Sequence, residues 1–212
     1  MTTEPSRDCP LCPRLAGFRQ EWRGREAGWH NAPVPSFGDE QARLLVVGLA
    51  PGLRGANASG RPFTGDYAGD LLYRTLLDFG FATGEYRACP DDGLKLHDCR
   101  ITNAVRCVPP QNKPEPAEIA QCRPFLEATI AAMPRLQIIL ALGQIAHQSV
   151  VRAFGLPAAR VPFKHGGMAE LDGKTLASSY HCSRYNTNTG RLTTEMFRAV
   201  FTGVVARLRD AG

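Results

Sequence analysis

Four cysteines in two widely separated groups constrain the fold of this chain more than any other sequence feature. Cys9 and Cys12 form a Cys-Pro-Leu-Cys segment, and Cys107 and Cys122 lie far along the chain with fourteen residues between them. Four thiolates are a ligand set for zinc or for an iron–sulfur cluster. If one metal centre binds both groups, the N-terminal segment must pack against residues 107–122. The alternative is that these are isolated buried or surface thiols.

Apolar, β-branched runs alternate with amphipathic segments along the rest of the chain. Strands are predicted at 43–49, 100–105 and 137–142, with two shorter strand-like runs before residue 180. Residues 31–38 are predicted to form an extended connector and residues 88–98 a polar surface loop. Helices are predicted around 15–22 and at 68–79, 116–133, 144–154 and 193–209, because apolar residues recur there at helical spacing. This alternation predicts an α/β layer fold with a largely parallel central sheet.

Composition and charge restrict the environment and the partners of the chain. The 212 residues are enough to bury a core, and we predict a single domain spanning residues 1–212. No apolar run approaches the ~20 residues that cross a bilayer, and the N-terminus lacks the apolar stretch of a secretory signal. We therefore expect a cytoplasmic protein, in which an odd total of seven cysteines argues against a disulfide framework. The formal charge of +5 is compatible with a polyanionic partner.

Several polar and glycine-rich segments follow the predicted strands directly. The loops after Leu49, Val105, Leu142 and Tyr180 all leave the carboxyl ends of strands. In open parallel sheets these ends form the ligand crevice. A long glycine-rich loop at 50–65 belongs to the same group, and such loops in compact domains are usually functional. We expect these segments to form one pocket.

Three segments together resemble the uracil-DNA glycosylase superfamily, specifically its iron–sulfur, B-type fifth family. They are Gly48-Leu-Ala-Pro-Gly52 continuing to Gly60-Arg-Pro-Phe-Thr-Gly-Asp66, Thr102-Asn-Ala-Val-Arg-Cys-Val-Pro-Pro110, and Ser179-Tyr-His-Cys-Ser-Arg-Tyr-Asn186. The resemblance covers nearly the whole chain and implies a three-layer α/β/α sandwich. It also implies a [4Fe-4S] cluster bound by Cys9, Cys12, Cys107 and Cys122, as in the fourth and fifth families.

The same resemblance implies an enzyme that flips uracil out of DNA and hydrolyses its N-glycosidic bond. By this resemblance His181 faces the departing base, Asn103 reads its edge and Phe63 stacks on it, while Gly48 and Ala50 belong to the base pocket. Breaking the bond places negative charge on the base, so an aimed donor accelerates the reaction. The amide of Asn103 both donates and accepts, which matches O4 and N3–H of uracil.

Water activation is the step that departs from the general pattern of the superfamily. Many members carry an acidic residue in the first motif, whereas this chain has Leu49-Ala50 there, as fifth-family members do. Asn57 is the nearest loop side chain by analogy, and an amide can orient water but is no general base. Asp66 and Asp70 are the nearest carboxylates. A non-acidic motif also suits a broader base range, which leaves hydroxymethyluracil, ethenocytosine and hypoxanthine as further substrates.

The expected DNA contacts follow His181 and lie in the glycine-rich loop. The segment after His181 corresponds to an intercalating loop, and here Cys182 replaces the usual proline. Arg184, Tyr185 and Asn186 are its predicted DNA-binding residues, since an aromatic side chain can fill the gap left by a flipped nucleotide. Plausible phosphate contacts, which position a duplex without specifying sequence, are Arg54, Arg61 and Arg191. We expect a monomer that binds DNA and no membrane.

Other functions remain open at this stage. A redox protein would use the cysteine site as its active centre, but it leaves the histidine segment unexplained. A cysteine hydrolase would pair Cys182 with His181, yet neighbouring residues on an extended strand point to opposite faces. A nucleotide-binding module would use the loop at 50–65, which lacks both the GxxxxGK[ST] and GxGxxG patterns. The glycosylase interpretation accounts for the most features.

Overall fold

Buried apolar runs form the centre of the structure, a computed structural model that describes residues 2–210. The central sheet has the strand order β1-β5-β2-β6-β8-β7, and β3 pairs with β4 in a separate ribbon. Strands β5, β2, β6 and β8 are parallel, whereas the two edge strands are antiparallel to their neighbours. The strands are β1 (Phe37–Gly38), β2 (Leu44–Gly48), β3 (Ala82–Thr83), β4 (Lys95–Leu96), β5 (Cys99–Asn103), β6 (Ile138–Leu142), β7 (Met168–Leu171) and β8 (Lys174–Ser179).

Helices cover both faces of this sheet. They are α1 (Pro13–Arg25), α2 (Ala56–Ser59), α3 (Tyr67–Asp78), α4 (Pro116–Ala131), α5 (Gln144–Ala153), α6 (Arg184–Asn188) and α7 (Thr194–Asp210). Within residues 2–210, no helix combines the length and apolar character needed to cross a membrane.

The alternation of side chains in β2 produces the three layers. Leu44 and Val46 pack in one core cluster with apolar residues of α3 and α7, such as Leu72 and Phe201. Leu45 and Val47 face the other way and pack with residues of α4 and α5. Because both faces of the strand are buried, its sequence is continuously apolar. The predicted α/β/α sandwich with a largely parallel sheet is confirmed.

Tertiary contacts create three elements that the sequence pattern does not predict. The predicted connector at 31–38 ends in β1, a two-residue strand that exists because it pairs with β5. The loop at 50–65 contains the single-turn helix α2, and the predicted intercalating loop contains α6. The side chain of Ser183 caps α6 by accepting a hydrogen bond from the Asn186 N–H.

Arg61 is a buried structural residue, so its prediction as a phosphate contact is wrong. Its guanidinium forms a two-point ion pair with Asp92, with Nη1–Oδ1 at 2.8 Å and Nη2–Oδ2 at 2.6 Å. Nε also donates to Oγ1 of Thr64 at 2.7 Å. The partner comes from the loop at 88–98, which folds beneath the glycine-rich segment. A sequence pattern does not reveal this pairing because the two residues are thirty-one positions apart.

Two tyrosines next to this ion pair support the turn that carries Phe63. The hydroxyl of Tyr73 donates to the Pro62 carbonyl at 2.6 Å, and that of Tyr86 donates to the Phe63 carbonyl at 3.1 Å. Their rings stack with centroids 4.5 Å apart, and Arg61 lies over both. Burial raises the pKa of Tyr86 to about 12, so it remains a hydrogen-bond donor at neutral pH. These bonds stabilise a backbone φ of 54° at Phe63.

We expect Asp92→Asn to lower the free energy of unfolding by about 3–5 kcal/mol, because it leaves the buried charge of Arg61 without its partner. The hydrogen bonds from Arg61 are the main cause that lowers the pKa of Asp92 to about 2. Stability from the pair is therefore present above the ordinary pKa of 3.8 and lost as the pH falls toward about 2. Urea unfolding at neutral and acidic pH measures both effects.

The matched control for this prediction is Asp91→Asn, which removes an exposed carboxylate next to the ion pair. Its unfolding free energy should stay within about 0.5 kcal/mol of the parent. Equal losses in the two variants would contradict the assigned role of the Arg61–Asp92 pair.

Candidate active site

A cavity of about 580 Å³ opens at the carboxyl ends of the parallel strands. Segments that follow β2, β5, β6 and β8 all contribute to its wall, as the connectivity predicts. The residues from these segments include Leu49, Ala50, Gly52, Asn103, Gly143, Tyr180 and His181. The predicted convergence of the four loops is therefore confirmed.

Gly48 allows two of the predicted base-binding side chains to meet. It pairs with Asn103 in the β2–β5 register. A Cβ atom at Gly48 would lie 2.4 Å from Oδ1 of Asn103 and 2.6 Å from Cζ of Phe63. Both of those side chains line the cavity, and both are largely buried. Because Gly48 has no side chain, the ring of Phe63 and the amide of Asn103 can approach each other.

His181 faces this ring from the opposite loop. The ring centroids of Phe63 and His181 are 6.0 Å apart, with their planes inclined by 26°. Burial lowers the pKa of His181 to about 4, so the imidazole is neutral at neutral pH and carries one N–H donor. Nδ1 is buried and has no hydrogen-bond partner among the described residues. Asn186 donates from Nδ2 to the His181 carbonyl at 2.8 Å, which ties the start of α6 to the histidine.

Cys182 points away from the cavity and into the core. Its thiol is fully buried and donates to the Ala68 carbonyl at 3.4 Å. Burial raises the pKa of Cys182, which keeps the thiol protonated. A buried thiol on the far side of the chain from the imidazole is not a nucleophile for this cavity. Cys182 instead anchors the histidine loop to the first turn of α3.

The predicted water-orienting residue, Asn57, lies in α2 directly behind the cavity-lining residue Ala56. Its side chain is fully buried and is not part of the cavity surface. Nδ2 donates to Oδ1 of Asn31 at 2.8 Å. Oδ1 has no hydrogen-bond partner within residues 2–210. A buried acceptor of this kind is usually satisfied by protein or by ordered water.

Among residues 2–210, Asp66 is the one acidic side chain that lines the cavity. Its Oδ1 accepts the Gly69 N–H at 3.1 Å and caps α3. Burial raises the pKa of Asp66, while hydrogen bonds from the Gly69 and Ala68 backbones oppose that change. Asp70 is exposed and does not line the cavity. Of the two carboxylates considered from sequence, only Asp66 therefore reaches the site.

The rim of the cavity carries arginines that stack on aromatic rings. Arg184 lies 5.2 Å above the ring of Tyr67, and Arg191 lies 4.7 Å above the ring of Tyr180. Tyr185 is exposed at 71%, a large apolar side chain beside the cavity opening. No carboxylate pairs with either arginine in the described part of the chain. Their charges are available to an anion.

The two cysteine groups meet at a second, smaller cavity. Cys9, Cys12, Cys107 and Cys122 all line it, together with apolar residues such as Leu15. Across residues 2–210, no three Cys, His, Asp or Glu side chains are placed to hold a single metal ion. Four cysteines around one cavity remain a ligand set for zinc or for an iron–sulfur cluster.

Two of these sulfur atoms accept hydrogen bonds from nearby residues. The buried guanidinium of Arg19 donates from Nη1 to Sγ of Cys107 at 2.9 Å, and the backbone N–H of Arg106 donates to Sγ of Cys122 at 3.3 Å. Burial raises the pKa of Cys122 to about 12. Such thiols become thiolates only when a cation displaces the protons. Hydrogen bonds to sulfur are a recognised means of stabilising a thiolate-bound cluster.

Sequence reasoning did not find Asn31 or Arg19, which contact predicted functional residues. Asn31 stands in a segment predicted as a connector, yet it is buried with a φ of 42°. Asparagine tolerates this left-handed conformation better than most residues, which is the one signal available in the sequence. Arg19 lies on α1 among other arginines, and nothing in the sequence distinguishes it from a surface residue.

Comparison with known proteins identifies one family. The model of the family described as "Uracil DNA glycosylase superfamily" matches residues 35–204. A type-5 uracil-DNA glycosylase of Thermus thermophilus is 44% identical over 198 residues, which cover 91% of this chain and 90% of that protein. A type-5 enzyme of Pyrobaculum aerophilum is 38% identical, with 97% and 90% covered. A type-4 enzyme of Archaeoglobus fulgidus is 33% identical, with 66% and 62% covered.

We expect Gly48→Ala to destabilise the protein by about 1–3 kcal/mol, because the new methyl group overpacks against Asn103 and Phe63. A crystal structure of the variant should show Phe63 displaced from the cavity wall, and thermal unfolding measures the stability. The control is Gly17→Ala in α1, where an added Cβ meets no atom within 4 Å. An unshifted Phe63 ring with parent-like stability would show that Gly48 does not maintain this approach.

Proposed function

This chain belongs to the uracil-DNA glycosylase superfamily, and we propose that it removes uracil from DNA with Phe63, Asn103 and His181 acting on the flipped base. It is a uracil-DNA glycosylase, like the type-5 relatives to which it is similar over most of its length. The observation that carries the assignment of roles is the meeting of these three side chains at one cavity. The reaction leaves an abasic site.

Base recognition follows from the geometry of the cavity wall. A uracil extruded from the helix stacks on the ring of Phe63, which the bonds from Tyr73 and Tyr86 hold in place. The amide of Asn103 donates to O4 and accepts from N3–H. Gly48 keeps the space that both side chains need. Ala50 lines the same wall without adding charge.

We assign the stabilisation of the leaving group to His181. The departing uracil carries negative charge, and a neutral imidazole N–H stabilises that charge through a hydrogen bond. The lowered pKa of His181 keeps its imidazole neutral at neutral pH. A neutral imidazole already carries one N–H group, so it can donate without first binding a proton. Asn186 fixes the backbone of His181 by donating to the His181 carbonyl. Cys182, the next residue in the chain, is fixed by the bond from its thiol to the Ala68 carbonyl.

The nucleophilic water is assigned to Asn57. Its Oδ1, which has no partner within residues 2–210, accepts one hydrogen from a water that lies between Asn57 and the cavity, because the Asn57 side chain does not itself line the cavity. The lone pairs of that water stay free for attack on the sugar. An amide does not remove a proton, so most of the rate enhancement comes from stabilising the leaving group. Asp66 lines the cavity and remains the second candidate for this step, because its carboxylate can accept a proton directly.

DNA binding is assigned to the rim. Arg184 and Arg191 contact phosphates on either side of the flipped nucleotide, and the aromatic rings beneath them restrict their motion. Tyr185 projects far enough to enter the base stack. Asn186 contributes at the same edge by holding the histidine loop and lining the opening.

The cysteine cavity is proposed to hold a [4Fe-4S] cluster through Cys9, Cys12, Cys107 and Cys122. When bound, the cluster supplies a covalent cross-link between the N-terminal segment and the region from β5 to α4. Arg19 and the Arg106 backbone stabilise its thiolates. The cavity that receives the base is lined by a different set of residues, so we assign the cluster a structural role.

The base range is proposed to extend beyond uracil to hydroxymethyluracil, ethenocytosine and hypoxanthine. The wall formed by Leu49 and Ala50 carries no acidic side chain, and the cavity volume of about 580 Å³ exceeds what a single pyrimidine needs. Larger or modified bases therefore meet neither a charge nor a steric barrier at this wall.

Cleavage of end-labelled duplexes tests the function and the role of His181 together. Duplexes carry U·G, U·A, hypoxanthine·T or ethenocytosine·G, and alkali breaks the strand at abasic sites. The parent protein should give scission at the lesion. His181→Ala should slow the single-turnover rate by about 10²–10³-fold with unchanged DNA affinity, since it removes one donor to the leaving group. The parent rate should also stay flat as the pH falls through the usual histidine range, because the pKa of His181 is lowered to about 4.

The control is His97→Ala, an exposed histidine that bonds Thr83 far from the cavity and should leave the rate unchanged. A His181→Ala rate close to the parent would remove His181 from the mechanism. No scission by protein that retains a brown chromophore would instead favour a redox function.

We expect Cys107→Ala to lose the visible absorbance of the cluster and to lower the unfolding midpoint by about 10 °C, because metal binding contributes directly to folding. Absorbance spectra, iron analysis and calorimetry measure these effects. Cys89→Ala is the control, since Cys89 lies outside the cysteine cavity. A stable, cluster-free and fully active Cys107→Ala protein would contradict the structural role.

A further inference from the structure

Asn31 makes five hydrogen bonds that join the end of α1 to α2, and in one of them its carbonyl accepts from Nε of Arg23 at 2.8 Å. Its Nδ2 donates to the carbonyl oxygens of Trp22 at 3.2 Å and Glu26 at 2.8 Å. Its Oδ1 accepts from Nδ2 of Asn57 at 2.8 Å, and its backbone N–H donates to the Asn57 carbonyl at 3.1 Å. The residue is 1% exposed, so water does not compete for these bonds.

These contacts determine which way the Asn57 amide is turned. The oxygen and nitrogen of an amide have nearly the same shape, so its orientation follows from its partners. Only an NH₂ group can donate to the two carbonyls of Trp22 and Glu26, which assigns the Nδ2 of Asn31. The remaining atom of Asn31 is then an acceptor and requires a donor from Asn57. Oδ1 of Asn57 must therefore be the atom left without a partner.

We propose that Asn31 is a positioning residue, which holds the Asn57 amide so that its oxygen accepts a hydrogen bond from the attacking water. The inference rests on the proposed role of Asn57 in water orientation. Were the amide reversed, its NH₂ group would meet the water as a donor, which occupies one of the two lone pairs and makes the oxygen a weaker nucleophile. Asn31 acts through Asn57 and makes no contact with the cavity itself.

The same residue explains how the N-terminal segment reaches the active site. The helix α1 starts directly after Cys12, and its last turn ends at the carbonyls that fix Asn31. Two hydrogen bonds then join Asn31 to Asn57. The cysteine cavity at one end of α1 and the water position beyond its other end therefore share one rigid element.

A double-mutant cycle tests this inference in single-turnover excision of uracil from a labelled duplex. Asn31→Gly removes the side chain while glycine tolerates the positive φ at this position. Asn57→Ala should slow excision about 10²-fold and Asn31→Gly about 10-fold, as expected for misplaced reacting groups. The double variant should be no slower than Asn57→Ala alone, because Asn31 works through Asn57. DNA affinity should be the same in all four proteins.

Independent effects in the double variant, or a parent-like rate for Asn31→Gly, would overturn the inference while leaving the glycosylase function intact. A parent-like rate for Asn57→Ala would overturn the role of Asn57 and this inference with it. If Asn31→Gly does not fold, Asn31→Asp replaces it in the test. It keeps the acceptor for Asn57 but loses the donors to Trp22 and Glu26, so its unfolding midpoint should fall while its rate stays nearer the parent. A rate as low as that of Asn57→Ala would contradict the positioning role.

Discussion

The buried ion pair between Arg61 and Asp92 is the interaction on which the candidate active site depends. It brings the loop at 88–98 beneath the glycine-rich segment, and there Tyr73 and Tyr86 bind the carbonyls on either side of the Phe63 peptide. A left-handed backbone at an aromatic residue costs energy and persists only when its surroundings define it. The position of the Phe63 ring is thus set by a layer of charge and hydrogen bonds that does not line the cavity.

The N-terminal segment contributes to two sites rather than one. It supplies Cys9 and Cys12 to the cysteine cavity, and its helix carries Arg19 toward the sulfur of Cys107. The opposite end of that helix fixes Asn31, which in turn holds Asn57 behind the active-site cavity. A cluster that anchors this helix would therefore stabilise the geometry of hydrolysis without taking part in the chemistry. Such a cluster would then have a structural purpose in an enzyme that needs no redox step.

Much of the fold follows from patterns in the sequence. Strand β2 is recognisable because four consecutive apolar residues bury both faces, and α3 and α7 because their apolar residues recur on one side. The convergence of the loops after β2, β5, β6 and β8 follows from parallel connectivity alone. The prediction of Arg61 as a phosphate contact is wrong because its partner, the carboxylate of Asp92, is thirty-one positions away. The sequence shows only an arginine in a glycine-rich loop, which is typical of a phosphate ligand. The short β1 and α6 depend on contacts with other segments, so local preference does not reveal them.

By itself the sequence determined the α/β class, the edge of the sheet at which the cavity opens, and the presence of four cysteines of metal-ligand type. Periodicity and residue type are enough for these conclusions, because burial and ligand chemistry act on each segment separately. Only the tertiary structure decided which polar side chains face the cavity and which support it. Asn57, Asn31, Arg61 and Cys182 all have roles defined by a partner many positions away. Side-chain orientation is set by those long-range contacts, and no local pattern encodes them.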